Sequence, residues 1–104
     1  MNQTYVYKFV SRVYKRLNDP TFTIKLKNLP GLHGECLQGA DTVHLNPKGE
    51  TVATLVHEML HDFHHGWSET KVLEYERKIM TRLSQKQIGR LLIALGLALQ
   101  REEG

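Results

Sequence analysis

The chain has 104 residues, which is enough for one domain with one modest hydrophobic core. Hydrophobic residues make up 40% of it and charged residues 24%, a globular composition that excludes wholesale disorder. The net charge of +3 comes from cations that are scattered among acids, whereas a nucleic-acid-binding domain carries a denser and more one-sided basic patch. The charge therefore allows contact with a polyanion but does not favour a nucleic acid as the partner.

Cysteine content and hydropathy both predict a cytoplasmic protein. Cys36 is the single cysteine, so no internal disulfide can form and the fold needs no oxidising compartment. Polar and charged residues interrupt the first nine positions, which is not the pattern of a signal peptide. The longest apolar run, residues 91–99, contains a glycine and is too short to cross a bilayer. We expect no membrane partner.

The first half of the chain predicts a helix followed by a small sheet. Residues 4–17 place apolar side chains at helical spacing, and the segment Asn18-Asp19-Pro20 ends that helix. Residues 21–27 alternate, with Phe22, Ile24 and Leu26 on one face, and predict a strand. Residues 34–38 and 41–45 predict two further short strands.

The second half predicts three helices. Helical periodicity returns at Thr51 and ends at Gly66, and Ser68 is the expected N-cap of the next helix. Ser84 with Gln87 predicts a capping box that opens the last helix. The apolar face of this last helix is expected to pack on the first helix and the sheet, with a homodimer face or a lid as alternatives. The order predicts one α+β domain over residues 1–104, with a mostly antiparallel three-stranded sheet.

The segment His57-Glu58-Met59-Leu60-His61 carries the strongest functional signal. Residues i and i+4 share one face of a helix, so the two imidazoles can bind one Zn²⁺. Glu58 lies about 100° around the helix, where it misses the metal but can take a proton from a metal-bound water whose pKa the zinc brings towards 7. The alternative to a metal site is a helix with two surface or capped histidines that bind no metal.

A catalytic zinc site needs a third protein ligand and an open fourth position. The next predicted helix carries Glu69 and Glu76 on its inward, apolar face, where an unpaired carboxylate is costly. A simple helical hairpin places Glu76 level with His57 and Glu69 above His61, so the geometry slightly favours Glu76. Without a metal, Glu76 could form an ion pair with a basic residue. Glu69 could be at its position because the helix dipole favours an acid in the first turn.

Other residues could complete or assist the site. Cys36 could bind zinc as a thiolate, although a lone cysteine is more often a small buried hydrophobe. His65 is a candidate fourth ligand of a closed, structural site, although a straight helix carries it away from the metal. His44 and Asp62 are expected to be solvated. Alternatively, His44 could overlook the cleft, and Asp62 could orient another side chain.

Residues 22–83 resemble a group of very small HExxH proteins from bacteria and phages that are grouped with SprT-like and gluzincin-type zincins. The resemblance rests on residues 32–36 (LHGEC), 42–47 (TVHLNP), 54–61 (TLVHEMLH) and 67–69 (WSE), with Val72. In zincins an edge strand before the metal helix lines the substrate cleft, and this role would fall on residues 41–45. Gluzincins take their third ligand from a glutamate on the following helix, so the resemblance assigns that role to Glu69.

The chain departs from the larger families in two ways. The spacing from His61 to Glu69 is shorter than in typical gluzincins. No downstream His or Tyr is assigned to stabilise an oxyanion; the candidates are His33, His44, Trp67 and Tyr75.

Together these features predict a zinc-dependent metallopeptidase that acts on a peptide or protein, as a monomer or homodimer. His57, His61 and Glu69 would bind zinc, and Glu58 would act as the general base. The alternative is a non-catalytic zinc-binding module for regulation or protein interaction.

Overall fold

The computed structural model describes residues 1–29, 31–32, 34–38, 41–46 and 50–103. The helices are α1 (Gln3–Leu17), α2 (Thr51–Phe63), α3 (Glu69–Met80) and α4 (Gln85–Glu103), and the strands are β1 (Thr23–Leu26), β2 (Gly34–Leu37) and β3 (Thr42–Leu45). The predicted α+β order, with the N-terminal helix first, is confirmed. His33, a candidate oxyanion aid, lies outside the described residues.

Side-chain caps fix where three of the helices begin. The Asn2 side chain accepts from the backbone N–H of Tyr5 at the start of α1, and the Ser68 side chain caps α3 as predicted. At α4, the Ser84 hydroxyl accepts from the Gln87 N–H at 3.1 Å, and the Gln87 side chain accepts from the Ser84 N–H at 2.9 Å. This is the predicted capping box. By contrast, α2 ends at Phe63 and not at Gly66.

The sheet has the order β1-β3-β2, so β3 is the central strand. It pairs with β1 in parallel and with β2 antiparallel, which makes the sheet mixed. We expected a mostly antiparallel sheet, and one of its two strand pairings is antiparallel. Among the described strands, β2 and not β3 is therefore the edge strand next to α2.

The core lies between the sheet and the four helices. Its largest fully buried side chains include Leu17, Phe22, Met59, Ile79 and Leu91. In α1, β1, α3 and α4 the buried face is narrower than the apolar pattern of the sequence, because four apolar residues at the spacing of the buried face are exposed. These are Tyr14, Leu26, Leu73 and Leu92.

Helix α4 packs on α1 and β1, as expected, while α2 packs on α3 and β2. On its inner face α4 buries Leu91, Ala94, Leu95 and Ala98. Within the described ranges, no helix has the length and apolar character needed to cross a membrane.

Candidate metal centre

The two histidines of the HExxH segment lie one above the other on α2. The ring centroids of His57 and His61 are 5.0 Å apart, and both side chains are largely buried on the side of α2 that meets α3. Met59, on another side of the same helix, is fully buried in the core. Helix α2 therefore separates an apolar side from a side that carries the histidines.

Glu69, the first residue of α3, lies between the two imidazoles. Its Oε1 is 2.7 Å from His57 Nε2, and its Oε2 is 2.8 Å from His61 Nε2. The Ser68 cap determines where α3 begins and so sets the position of this carboxylate. One ligand atom from each of the three residues lies within 4.8 Å of the others. The structure thus brings together the three residues that were predicted to bind metal.

This donor set fits a zinc ion. Two imidazole nitrogens and one carboxylate oxygen form the ligand set of catalytic zinc sites with an open fourth position. Tetrahedral ligands at about 2.0–2.1 Å from zinc are about 3.3 Å from one another. The Glu69 oxygens lie 2.7 and 2.8 Å from the imidazole nitrogens, so each of these two contacts would lengthen by about half an ångström around the ion. The Glu69 side chain is 61% exposed and is free to make that movement.

Glu76 contacts the other nitrogen of His57. Its Oε1 lies 2.8 Å from Nδ1, on the opposite side of the ring from Glu69. A carboxylate there accepts a hydrogen bond from Nδ1 and so favours the tautomer whose Nε2 lone pair would be available to a metal ion. Glu76, the alternative third ligand, is therefore placed to orient His57 rather than to join the group of three.

Glu58 lies beside this group but is buried. It is 5% exposed, and its Oε1 lies 3.9 Å from His57 Nε2. Burial raises the pKa of Glu58 to about 7, and the negative charges of Glu69, Glu35 and Glu76 act in the same direction. A carboxyl group with this pKa can exchange a proton near neutral pH.

Strand β2 approaches α2 closely at Glu58, and this contact requires a glycine. A Cβ on Gly34 would lie 2.8 Å from Thr54 Cγ2, 3.0 Å from the His44 carbonyl oxygen and 3.1 Å from Glu58 Cγ. Further along, the Gln38 amide donates to the His61 carbonyl oxygen at 3.0 Å. The edge strand is thereby held along the helix that carries the histidines. A glycine at the first position of a predicted strand is the signal that could have identified this contact from the sequence.

A cleft of about 740 Å³ opens between the loop at Leu32, β2, α2 and α3. The histidines and Glu69 lie on its wall, together with the exposed leucines Leu32 and Leu73. Its lining contains five glutamates and no lysine or arginine among the described residues. These glutamates are Glu35, Glu50, Glu58, Glu69 and Glu76.

The prediction of which strand lines the cleft was wrong. Residues 41–45 were assigned this role by resemblance, but β3 has both edges paired, with β1 on one side and β2 on the other. The cleft-lining residues of the sheet come from β2, namely Gly34, Glu35 and Cys36.

His44 and Asp62, expected to be solvated, are both engaged. His44 Nδ1 lies 2.6 Å from Glu35 Oε1, which is on the neighbouring strand. The Asp62 side chain is only 10% exposed and accepts from Arg16 Nε at 2.9 Å. Asp62 therefore connects α2 to α1 through a partly buried ion pair. Among the described residues, Asp62 makes no hydrogen bond or ion pair with His57 or His61.

The remaining candidates lie outside the group of three. Cys36 lines the cleft but packs against the core, and burial raises the pKa of its thiol to about 12, which disfavours the thiolate. His65 lies in a separate cavity beside Arg12. Trp67 and Tyr75 pack on each other with ring centroids 4.7 Å apart and do not line the cleft.

Comparisons of the chain with protein-family models, curated proteins and solved structures found no match. The resemblance to small zincins is therefore carried by the residues of the sequence alone.

Proposed function

We propose that the protein is a zinc-dependent metallopeptidase in which His57, His61 and Glu69 hold the metal. The observation that supports this most strongly is the Glu69 carboxylate, which meets the Nε2 atoms of both histidines at 2.7 and 2.8 Å. The buried carboxyl group of Glu58 beside them supplies the acid–base function. A cytoplasmic location is part of the proposal, because Cys36 is a free thiol.

Zinc bound in such a site polarises a carbonyl oxygen and lowers the pKa of a bound water. Glu58 accepts the proton of the attacking water on a carboxylate oxygen and then returns it to the leaving amine. In the metal-free chain burial raises the pKa of Glu58 to about 7, so its carboxyl group can both accept and release a proton near neutral pH. Glu76 holds the proton on His57 Nδ1, so that Nε2 stays available to the metal.

The substrate is an extended peptide that lies beside β2. This strand is at the edge of the described sheet and lines the cleft, and a peptide can pair with an edge strand through its backbone groups. The acidic lining of the cleft favours basic over acidic side chains, and Leu32 and Leu73 offer apolar contacts at its walls.

The test is cleavage of a degenerate peptide library by zinc-loaded wild type and by Glu58→Gln. We expect wild type to cleave, and Glu58→Gln to retain zinc and lose cleavage by at least about a hundredfold, because the general base is removed while the ligands stay. Cleavage by Glu58→Gln at the wild-type rate would refute this mechanism.

The second candidate is a non-catalytic zinc-binding module for regulation or protein interaction. It is favoured by the cleft lining, which includes no Tyr, Lys, Arg or third His among the described residues to stabilise an oxyanion. This candidate predicts that wild type and Glu58→Gln bind zinc and that neither cleaves any peptide.

A further inference from the structure

The outer face of α4 carries an apolar surface that no other described part of the chain covers. Leu92, Ile93 and Leu97 are 46%, 67% and 56% exposed, and Ile93 is the most exposed large hydrophobic side chain among the described residues. This surface exists because residues 91–99 are apolar all around the helix, while only the inner face packs on α1 and β1. A helix that is apolar on every side is normally buried on every side.

Two glycines lie on the same outer face. A Cβ added at Gly89 or Gly96 would meet nothing within 4 Å. At about 100° per residue, Gly96 lies about 60° around the helix from Ile93, so a bulky side chain and a gap stand next to each other. Small residues on a helix face allow a second helix to approach closely.

We propose that this face binds a second copy of the chain, with the two α4 helices packed antiparallel about a two-fold axis between residues 94 and 95. The spacing is complementary to itself in this arrangement. The axis places Ile93 over Gly96 of the second copy, while Leu92 and Leu97 lie on opposite flanks of this central contact. Each contact then occurs twice, as two-fold symmetry requires, and the most exposed side chain fills the gap above a glycine.

The charge sequence of α4 selects the antiparallel arrangement. Lys86 and Arg90 lie near its start, residues 91–100 carry no charge, and its end has a net charge of −1 from Arg101 and the glutamates at positions 102 and 103. Antiparallel pairing brings the basic start of one helix to the acidic end of the other, whereas parallel pairing would bring like charges together. This complementarity between the two ends of α4 favours a second copy as the occupant.

The dimer leaves the cleft of each copy open. All the described residues that line the cleft come from β2, α2, α3 and the loops beside them, and none comes from α1 or α4. The proposal is therefore independent of the proposed peptidase activity and can be tested without it.

The experiment is sedimentation equilibrium of the full chain at about 10 µM and about 500 µM, since association depends on concentration. We expect wild type to reach twice the monomer mass at the higher concentration. Ile93→Glu and Gly96→Gln should stay monomeric, and Gly96→Gln should melt at a higher temperature than the wild-type monomer because glycine is unfavourable inside a helix. Leu26→Glu is the matched control: Leu26 is 54% exposed on β1, and this variant should dimerise like wild type.

A charge reversal tests the register. Lys86→Glu should weaken the dimer by about threefold to tenfold, and adding Glu103→Lys should restore it. A wild-type chain that is monomeric at about 500 µM would overturn the proposal, and monomer that sediments with phosphatidylserine vesicles would assign this face to a lipid surface instead. Dimers of Ile93→Glu and Gly96→Gln as stable as wild type, or a double charge variant that does not recover, would refute the antiparallel α4 interface.

Discussion

Glu58 should destabilise the metal-free protein, and replacing it by glutamine should reveal this cost. Glu58 is 5% exposed, and burial raises its pKa from 4.5 to about 7. The folded chain therefore binds the Glu58 proton more tightly than the unfolded chain. Below about pH 4.5 both states are protonated and the group costs nothing; as the pH rises, stability is lost, and the loss levels off above about pH 7.

The size of the effect follows from the two pKa values. The free energy of unfolding of Glu58→Gln should exceed that of wild type by about 1 kcal/mol at about pH 5 and by about 3 kcal/mol at about pH 8. The assay is urea denaturation of both proteins in the presence of a chelator at a series of pH values. The metal must be removed because zinc would bind the folded state and hide the difference.

Glu74→Gln is the matched control on α3. Glu74 is exposed, and its hydrogen bond with Lys78 lowers the pKa of the carboxyl group. This variant should show no gain at high pH. A stability difference between Glu58→Gln and wild type that is the same at every pH, or that shrinks as the pH rises, would refute the reasoning.

Three further predictions concern the cleft. Glu76→Ala should weaken zinc binding by about tenfold to a hundredfold in a competition titration, with one site still present at saturating zinc, whereas Glu74→Ala should leave the affinity unchanged. Gly34→Ala should lower the free energy of unfolding by about 1–3 kcal/mol in chemical denaturation, because its Cβ would meet a side chain at 2.8 Å, while Gly66→Ala, with open space around it, should cost far less. Glu50→Lys should reduce kcat/KM for basic peptides relative to acidic ones; an unchanged ratio would show that the charge of the lining does not select the substrate.

Local patterns predicted the parts of the site that depend on one helix. The positions of His57, Glu58 and His61 relative to one another follow from helical spacing alone. The Ser68 cap was also evident, because a serine before an acidic first turn is a local signal.

The choice between Glu69 and Glu76 could not be made locally. A straight antiparallel hairpin placed Glu76 level with His57, and the structure agrees, but the contact is with Nδ1 and not with the Nε2 atom that faces Glu69. In the structure α2 ends at Phe63, and His64 stacks on Trp67 with ring centroids 3.8 Å apart in the turn that follows. This turn brings the first residue of α3 to both imidazoles and sends Glu76 to the far side of the His57 ring.

Long-range pairings explain the other errors. The order of three short strands depends on contacts between distant segments, so the sequence did not reveal that β3 is central and β2 is the edge. Asp62 was expected in solvent because its partner, Arg16, is 46 residues away in the chain. Neither pairing leaves a periodic signal in the sequence.

The central claim is that His57, His61 and Glu69 form one zinc site, and elemental analysis of the untagged protein tests it most directly. The proteins to compare, after addition of excess zinc and removal of the unbound metal by gel filtration, are wild type, His61→Ala, Glu69→Ala and Glu76→Ala. We predict about one zinc per chain in wild type, a substantial fraction of that in Glu76→Ala, and none in the other two. Wild type without stoichiometric zinc, or zinc that is kept by Glu69→Ala and lost from Glu76→Ala, would contradict the account.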